Sequence, residues 1–177
     1  MIVADDLRRL RCLSTETHRY WLRRGPRAGT ALGHNVLFVM LNPSTADADL
    51  DDPTIRRCVG FADALDAEFM GVVNLFSVRA TDPKELRSGI LNTPVSDAAL
   101  EAAAIWADTV IFGFGAVQGH IRGDWFQRVA DVDAIFRSAG KQPQALALTK
   151  DGWPRHPLYL SKSLRPEPWH WPNGARP

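Results

Sequence analysis

The sequence predicts an α/β protein: a three-layer sandwich built on a four-stranded, mainly parallel sheet, with one additional edge strand. Three observations carry this prediction. Four short apolar runs occur, VLFVML at 36–41, FMGVVNLF at 69–76, TVIFGFG at 109–115 and ALALT at 145–149, each of strand length. The first three are rich in Val, Ile and Phe and do not alternate with polar residues, as strands buried on both faces of a parallel sheet do. Segments of helical spacing separate the runs, and strand–helix–strand order implies parallel strands joined by right-handed crossovers.

Each element follows in order. THRYWLR at 17–23 reads as the edge strand, and the Gly-rich stretch RGPRAGTALGH at 24–34 as a loop. Asp52-Pro53 is a helix start, Asp as N-cap and Pro in the first turn, followed by Ile55, Cys58, Val59, Ala62 and Leu65 at helical spacing. A second helix is expected over 96–106, carrying Ala98, Leu100, Ala103 and Ala104. A third is expected over 124–138, with Phe126, Val129, Val132, Ile135 and Phe136 on one stripe and Gly140 closing it. The tail from Pro166, PEPWHWPNGARP, has four prolines and no periodicity, and is expected to wrap the surface or fray. The 177 residues fit a single domain, with an N-terminal segment 1–34, an α/β core 35–161 and a Pro/Trp-rich tail 162–177.

Composition narrows the function classes. Apolar content of 45% with 23% charged residues excludes global disorder. No apolar run is long enough to cross a bilayer, and the first residues already carry Asp5, Asp6, Arg8 and Arg9, so neither a membrane span nor a secretory leader is expected. Two cysteines, Cys12 and Cys58, build neither a disulfide framework nor a tetrathiolate cluster, and a reducing cytoplasm follows as the expectation. The net charge of +1 divides into +4 over 1–40, −7 over 41–140 and +4 over 141–177. Two basic ends folded together would give one basic face.

In open α/β sheets, ligands sit outside the carboxyl ends of the strands. The segments leaving those ends hold most of the chemistry in the chain: Asn42, Pro43 and Ser44; Asn74 and Arg79; Gly113 and Gly115; Lys150, Arg155 and His156. Pro43 holds Asn42 in extended backbone, so its amide is fixed at the strand tip, where it orients a water or ligand edge but cannot take a proton. The alternative is an Asx-type turn. Asn74 interrupts an apolar strand; its donor-plus-acceptor edge suits an amide-like or nucleobase edge, unless a neighbouring loop satisfies it. A charged ligand group would find Arg79, Lys150 and Arg155. His156, between Arg155 and Pro157, suits proton transfer or stabilisation of developing negative charge.

Asp47, Asp49, Asp51 and Asp52 begin like an EF-hand but lack its glycine and closing glutamate, so calcium of that type is rejected and a weak magnesium site is the alternative. GFGAVQG is not a dinucleotide fingerprint because Gln118 takes the last glycine position, although such a loop would let backbone amides approach a ligand. No phosphate loop, zinc-protease motif or nucleophile elbow is present, and no cofactor or metal is expected.

MLNPSTADADLDDPTIRRC, VVNLFSVRATDPKEL and TKDGWPRHPLYL resemble the signature blocks of a prokaryotic and phage family, domain of unknown function 1643, over about Tyr20 to Leu160. The same blocks more remotely resemble the uracil-DNA glycosylase superfamily, which has a four-stranded parallel sheet with its site at the strand carboxyl ends. LNP at Leu41–Pro43 is similar to the G-I-N-P-G motif, which implies that Asn42 positions the attacking water. VVNLFSVR resembles an N-x-x-x-x-R stretch that makes Asn74 the base-reading amide. HPLYLS resembles H-P-S-P-L-S, which implies that His156 stabilises the departing base and that Leu160 wedges into the duplex. The chain departs from the pattern at Met40 and Ser44, which stand where small glycines flank the first motif, and in lacking the serine of H-P-S.

The resemblance implies hydrolysis of an N-glycosidic bond on a base in nucleic acid or nucleotide. The alternative is a catalytically inactive module that binds nucleotide or nucleic acid in the same pocket. A third class, a structural partner, would need an exposed apolar patch, for which six tryptophans leave room.

Overall fold

The computed structural model describes residues 2–26, 33–81, 86, 91–115 and 125–172. In chain order these form α1 (Ala4–Arg9), β1 (Cys12–Ser14), β2 (Arg19–Arg24), β3 (Asn35–Met40), α2 (Pro53–Asp63), β4 (Phe69–Asn74), α3 (Pro94–Trp106), β5 (Thr109–Phe112), α4 (Trp125–Ser138), β6 (Gln144–Ala145), a 3₁₀ turn (Pro157–Tyr159) and β7 (Glu167–Pro168). The fold is mixed α/β with a seven-stranded sheet in the order β1-β2-β4-β3-β5-β6-β7. β4, β3, β5 and β6 run parallel, while β1, β2 and β7 are antiparallel to their neighbours.

Burial on both faces explains why the apolar runs do not alternate. Every residue of β3 is buried. Leu37 and Val39 pack with Leu100 and Ala103 of α3 and Val129, Val132 and Phe136 of α4. Val36, Phe38 and Met40 turn the other way, onto Ile55, Cys58, Phe61 and Ala62 of α2. α2 starts where the Asp-Pro signal puts it: Asp52 Oδ1 accepts a hydrogen bond from the Ile55 amide at 2.8 Å. α3 starts two residues earlier than the apolar spacing suggests, because Ser96 lies inside its first turn, where its hydroxyl accepts from the Thr93 amide at 2.9 Å.

Three expectations are corrected. The run at 17–23 does form a strand, but β1 and β4 flank it on either side, so it is not an edge. The fourth apolar run contributes only Gln144–Ala145 to the sheet, and its remainder turns back so that Leu148 bridges Pro154. Over its described residues, 166–172, the tail does not fray: Glu167–Pro168 pairs with β6, and Trp169 is fully buried. Its indole packs at 5.4 Å from the Phe112 ring and donates Nε1–H to Gly152 O at 3.1 Å, while Trp171 donates to Asp133 Oδ2 at 2.8 Å. Trp21, Trp106 and Trp153 are buried as well, and Trp125 and Trp171 are partly buried against the same core, so the tryptophans form no exposed patch. No helix among the described residues is long and apolar enough to cross a membrane.

Candidate functional site

A cavity of about 630 Å³ opens at the carboxyl ends of the parallel strands, within the range of small-molecule sites. All four ends contribute: Asn42 and Ser44 after β3, Asn74 at the tip of β4 with Ala80 and Thr81 beyond it, Phe114 and Gly115 after β5, and Thr149, Arg155 and His156 after β6. The N-terminus of α2 adds Asp52 and Thr54, β2 adds Arg19, and the highly exposed Tyr159 stands at the rim. The ends are knitted to one another. The Ala80 amide donates to Pro43 O at 3.0 Å, and Asn42 Nδ2 donates to Pro43 O at 2.9 Å and to Ala80 O at 2.8 Å. Both amide protons of Asn42 are thereby used, which is not the bonding of an Asx turn and leaves Oδ1 as its remaining hydrogen-bonding atom.

Asn74 is only 6% exposed, and neither its Nδ2 nor its Oδ1 has a hydrogen-bond partner among the described residues. No described loop residue satisfies it. A buried unmatched amide atom costs about 1–3 kcal/mol, so an amide at a cavity wall with both atoms unmatched is poised for a ligand that offers one donor and one acceptor.

His156 accepts the Leu158 amide at Nδ1 (3.3 Å), so the neutral ring carries its proton on Nε2. Burial lowers its pKa below the ordinary value, with Asp52 pulling more weakly in the opposite direction. The two glycines make room for this segment. A Cβ on Gly113 would stand 3.0 Å from the Pro157 ring, and one on Gly115, where φ is +77°, would stand 3.3 Å from His156 Cβ. Their amides are already committed, to Val39 O at 2.9 Å and Pro154 O at 3.0 Å, so they pack the His156 segment against β5 instead of presenting N–H groups to a ligand. Residues 116–124, including Gln118, lie outside the described residues.

Other expected site residues stand off the cavity wall. Arg79 reaches back to Ser44 O (3.4 Å) and Ala46 O (3.5 Å), Lys150 is exposed on a turn, and Pro43 is buried as a backbone acceptor. Leu160 is 4% exposed and packed with the α2 side of the core, so it presents no side chain that could enter a duplex. The acidic loop is structural. Asp47 Oδ1 accepts the amides of Asp49 and Leu50, which holds its carboxyl below the usual range, while Asp49 pairs with Arg11 at 3.2 Å and Asp51 with Arg24 at 2.7 Å. No acid, His or Cys cluster suited to a metal occurs among the described residues.

Sequence reasoning missed Arg19 altogether. It is 2% exposed, donates Nη1 to Ala46 O at 2.7 Å, and leaves Nε unmatched among the described residues. Burial, and then Arg79, bring its pKa down to about 10, so it still carries its charge at neutral pH. No carboxylate forms an ion pair with it among the described residues. Nothing in the run THRYWLR separates a buried arginine from an exposed one.

Fold and cavity together define a mixed α/β protein with a cavity at the carboxyl ends of its parallel strands, lined by apolar side chains and a few polar ones. The chain belongs to the family described as protein of unknown function, DUF1643, whose model matches residues 19–158 and so covers the cavity wall from Arg19 to His156. No curated protein and no solved structure matches it.

Proposed function

We propose that this cavity binds a nucleobase, as part of a nucleotide or of nucleic acid, and hydrolyses its N-glycosidic bond. The observation that carries the reading is the Asn74 amide, buried at the cavity wall with its donor and its acceptor both unmatched. A pyrimidine or purine edge offers the complementary acceptor and donor side by side. The reading is in keeping with the remote resemblance to uracil-DNA glycosylases, which also place their site at the strand carboxyl ends.

The chemistry asks little of the protein beyond placement. Asn42 Oδ1 orients a water toward the sugar carbon, and Asp52, the one carboxylate among the described lining residues, accepts the water's proton. The glycosidic C–N bond breaks with its electron pair passing to the base, where the Nε2–H of His156 stabilises the departing charge. The test is chromatographic detection of free base from nucleotides and from oligonucleotides containing uracil, hypoxanthine or a mismatch. Base release that disappears in the Asn42→Ala/His156→Ala double variant supports the reading, and release no greater than that variant's refutes it.

One observation favours the second reading, a binding module without turnover. The Asn42 amide is committed to two loop carbonyls and cannot itself take a proton. That reading predicts saturable nucleotide binding in calorimetry with no free base formed.

A further inference from the structure

We infer that the cavity carries a phosphate subsite built on Arg19, and that its ligand is a nucleoside monophosphate rather than a neutral nucleoside or a stretch of duplex. The base half of this inference rests on the function proposed above; the phosphate half stands on its own observations. Arg19 comes from β2, outside the parallel strands, and its guanidinium is buried at the cavity wall with Nε unmatched. Its side-chain partner among the described residues is a neutral carbonyl, Ala46 O, and Arg79 donates to that same oxygen from 3.5 Å. Two guanidinium groups thus converge on one carbonyl oxygen. Arg155, exposed at the mouth, adds a third positive charge.

Buried charges in folded proteins are ordinarily paired. Asp52, which lines the same cavity, attracts Arg19 only through space, with no carboxylate in ion-pair contact among the described residues. A buried arginine whose contacts are a like charge and a carbonyl, next to a cavity, is a site in want of an anion. Arginine's planar fork suits phosphate oxygens in particular, through two parallel N–H···O bonds. Depth decides which phosphate. With 2% of its surface exposed, Arg19 is out of reach of a duplex backbone lying across the protein, but a terminal phosphate carried into the cavity beside its base can meet it. The acidic middle of the chain also disfavours a long polyanionic contact.

The experiment is calorimetry on the full chain with four probes: inorganic phosphate, a nucleoside, its 5′-monophosphate, and a short duplex. The expected result is a monophosphate bound at least about tenfold tighter than its nucleoside, the ratio that one charge-assisted hydrogen bond supplies. Arg19→Met is expected to abolish that ratio while nucleoside affinity stays, and Asn74→Leu to weaken nucleoside and monophosphate alike while the response to inorganic phosphate stays. Equal affinity of the wild-type protein for nucleoside and monophosphate overturns the inference. So does an unchanged ratio in Arg19→Met, or duplex binding tighter than monophosphate. Phosphate binding that depends on Arg19 with no nucleoside binding keeps the subsite and overturns the base reading instead. Should Arg19→Met fail to fold, the wild-type ratio decides by itself, together with Arg79→Met, which is expected to lower it.

Discussion

Replacing Asn74 with leucine separates a binding amide from a structural one. Leucine is close to asparagine in shape, and position 74 pairs in register with Met40, which packs with Val72 and Ile55, all three lining the cavity. The substitution removes two buried polar atoms that have no partner among the described residues, each costing about 1–3 kcal/mol. Taking only one such penalty as recovered, the protein gains about 1–3 kcal/mol. For a chain of 177 residues, each kcal/mol moves the melting temperature by roughly 2–4 °C, so a rise of about 2–12 °C is expected in a thermal melt. Binding moves the other way. Two net hydrogen bonds of ~1 kcal/mol each amount to about 30-fold in nucleoside affinity. The combination, a more stable protein that binds its ligand worse, is the mark of a site held ready at the expense of the fold. A lowered melting temperature with unchanged nucleoside affinity would refute the reasoning, because Asn74 would then be bonded within the protein.

Further outcomes follow from the same geometry. Asp52→Asn keeps an efficient helix cap but removes the carboxylate, so base release is expected to collapse with little change in melting temperature; Asp52→Ala also loses the cap and costs about 0.5–2 kcal/mol in denaturant titration. Gly115→Ala forces a side chain into left-handed backbone against His156, with an expected cost of about 1–2 kcal/mol and weaker monophosphate binding by calorimetry. Trp169→Ala opens a cavity among Phe112, Phe114 and Trp153 and is expected to destabilise by about 3–5 kcal/mol in the same titration. Because burial lowers the His156 pKa, the unfolded chain takes up its proton first as pH falls. The stabilisation is therefore complete above the ordinary histidine value and is lost as pH drops from there through the folded value. In His156→Gln, melting temperature is expected to fall less steeply across that acid window.

The sequence made the site legible where its residues are consecutive with a recognisable strand or cap. The runs at 36–41, 69–76 and 109–115 are apolar on both faces, and that alone places Asn42, Asn74 and Gly115 at carboxyl ends. Asp52-Pro53 carries its own start signal, although only the fold shows that the cap also lines the cavity. Lys150 is expected at the site from its place after the fourth apolar run, and Leu160 from the resemblance of HPLYLS to H-P-S-P-L-S. The turn at 149–152 leaves Lys150 in solvent, and the 3₁₀ turn sends Leu160 into the core.

What the sequence determined by itself is the class of fold and the end of the sheet where the polar loop residues collect, because hydrophobic period and capping are local properties that neighbouring residues settle among themselves. What only the tertiary structure decided is which polar side chains are left without partners. Whether Arg19 is buried depends on β2 pairing with β4, some fifty residues further along the chain, and on Ala46 and Arg79 being brought to it from two other loops. The tail was decided in the same way: β7 exists because β6 offers an open edge, and Trp169 is buried because Phe112 and Gly152 wait there for it. A missing partner is a property of the whole assembly, since every other group in the chain must fail to reach that atom.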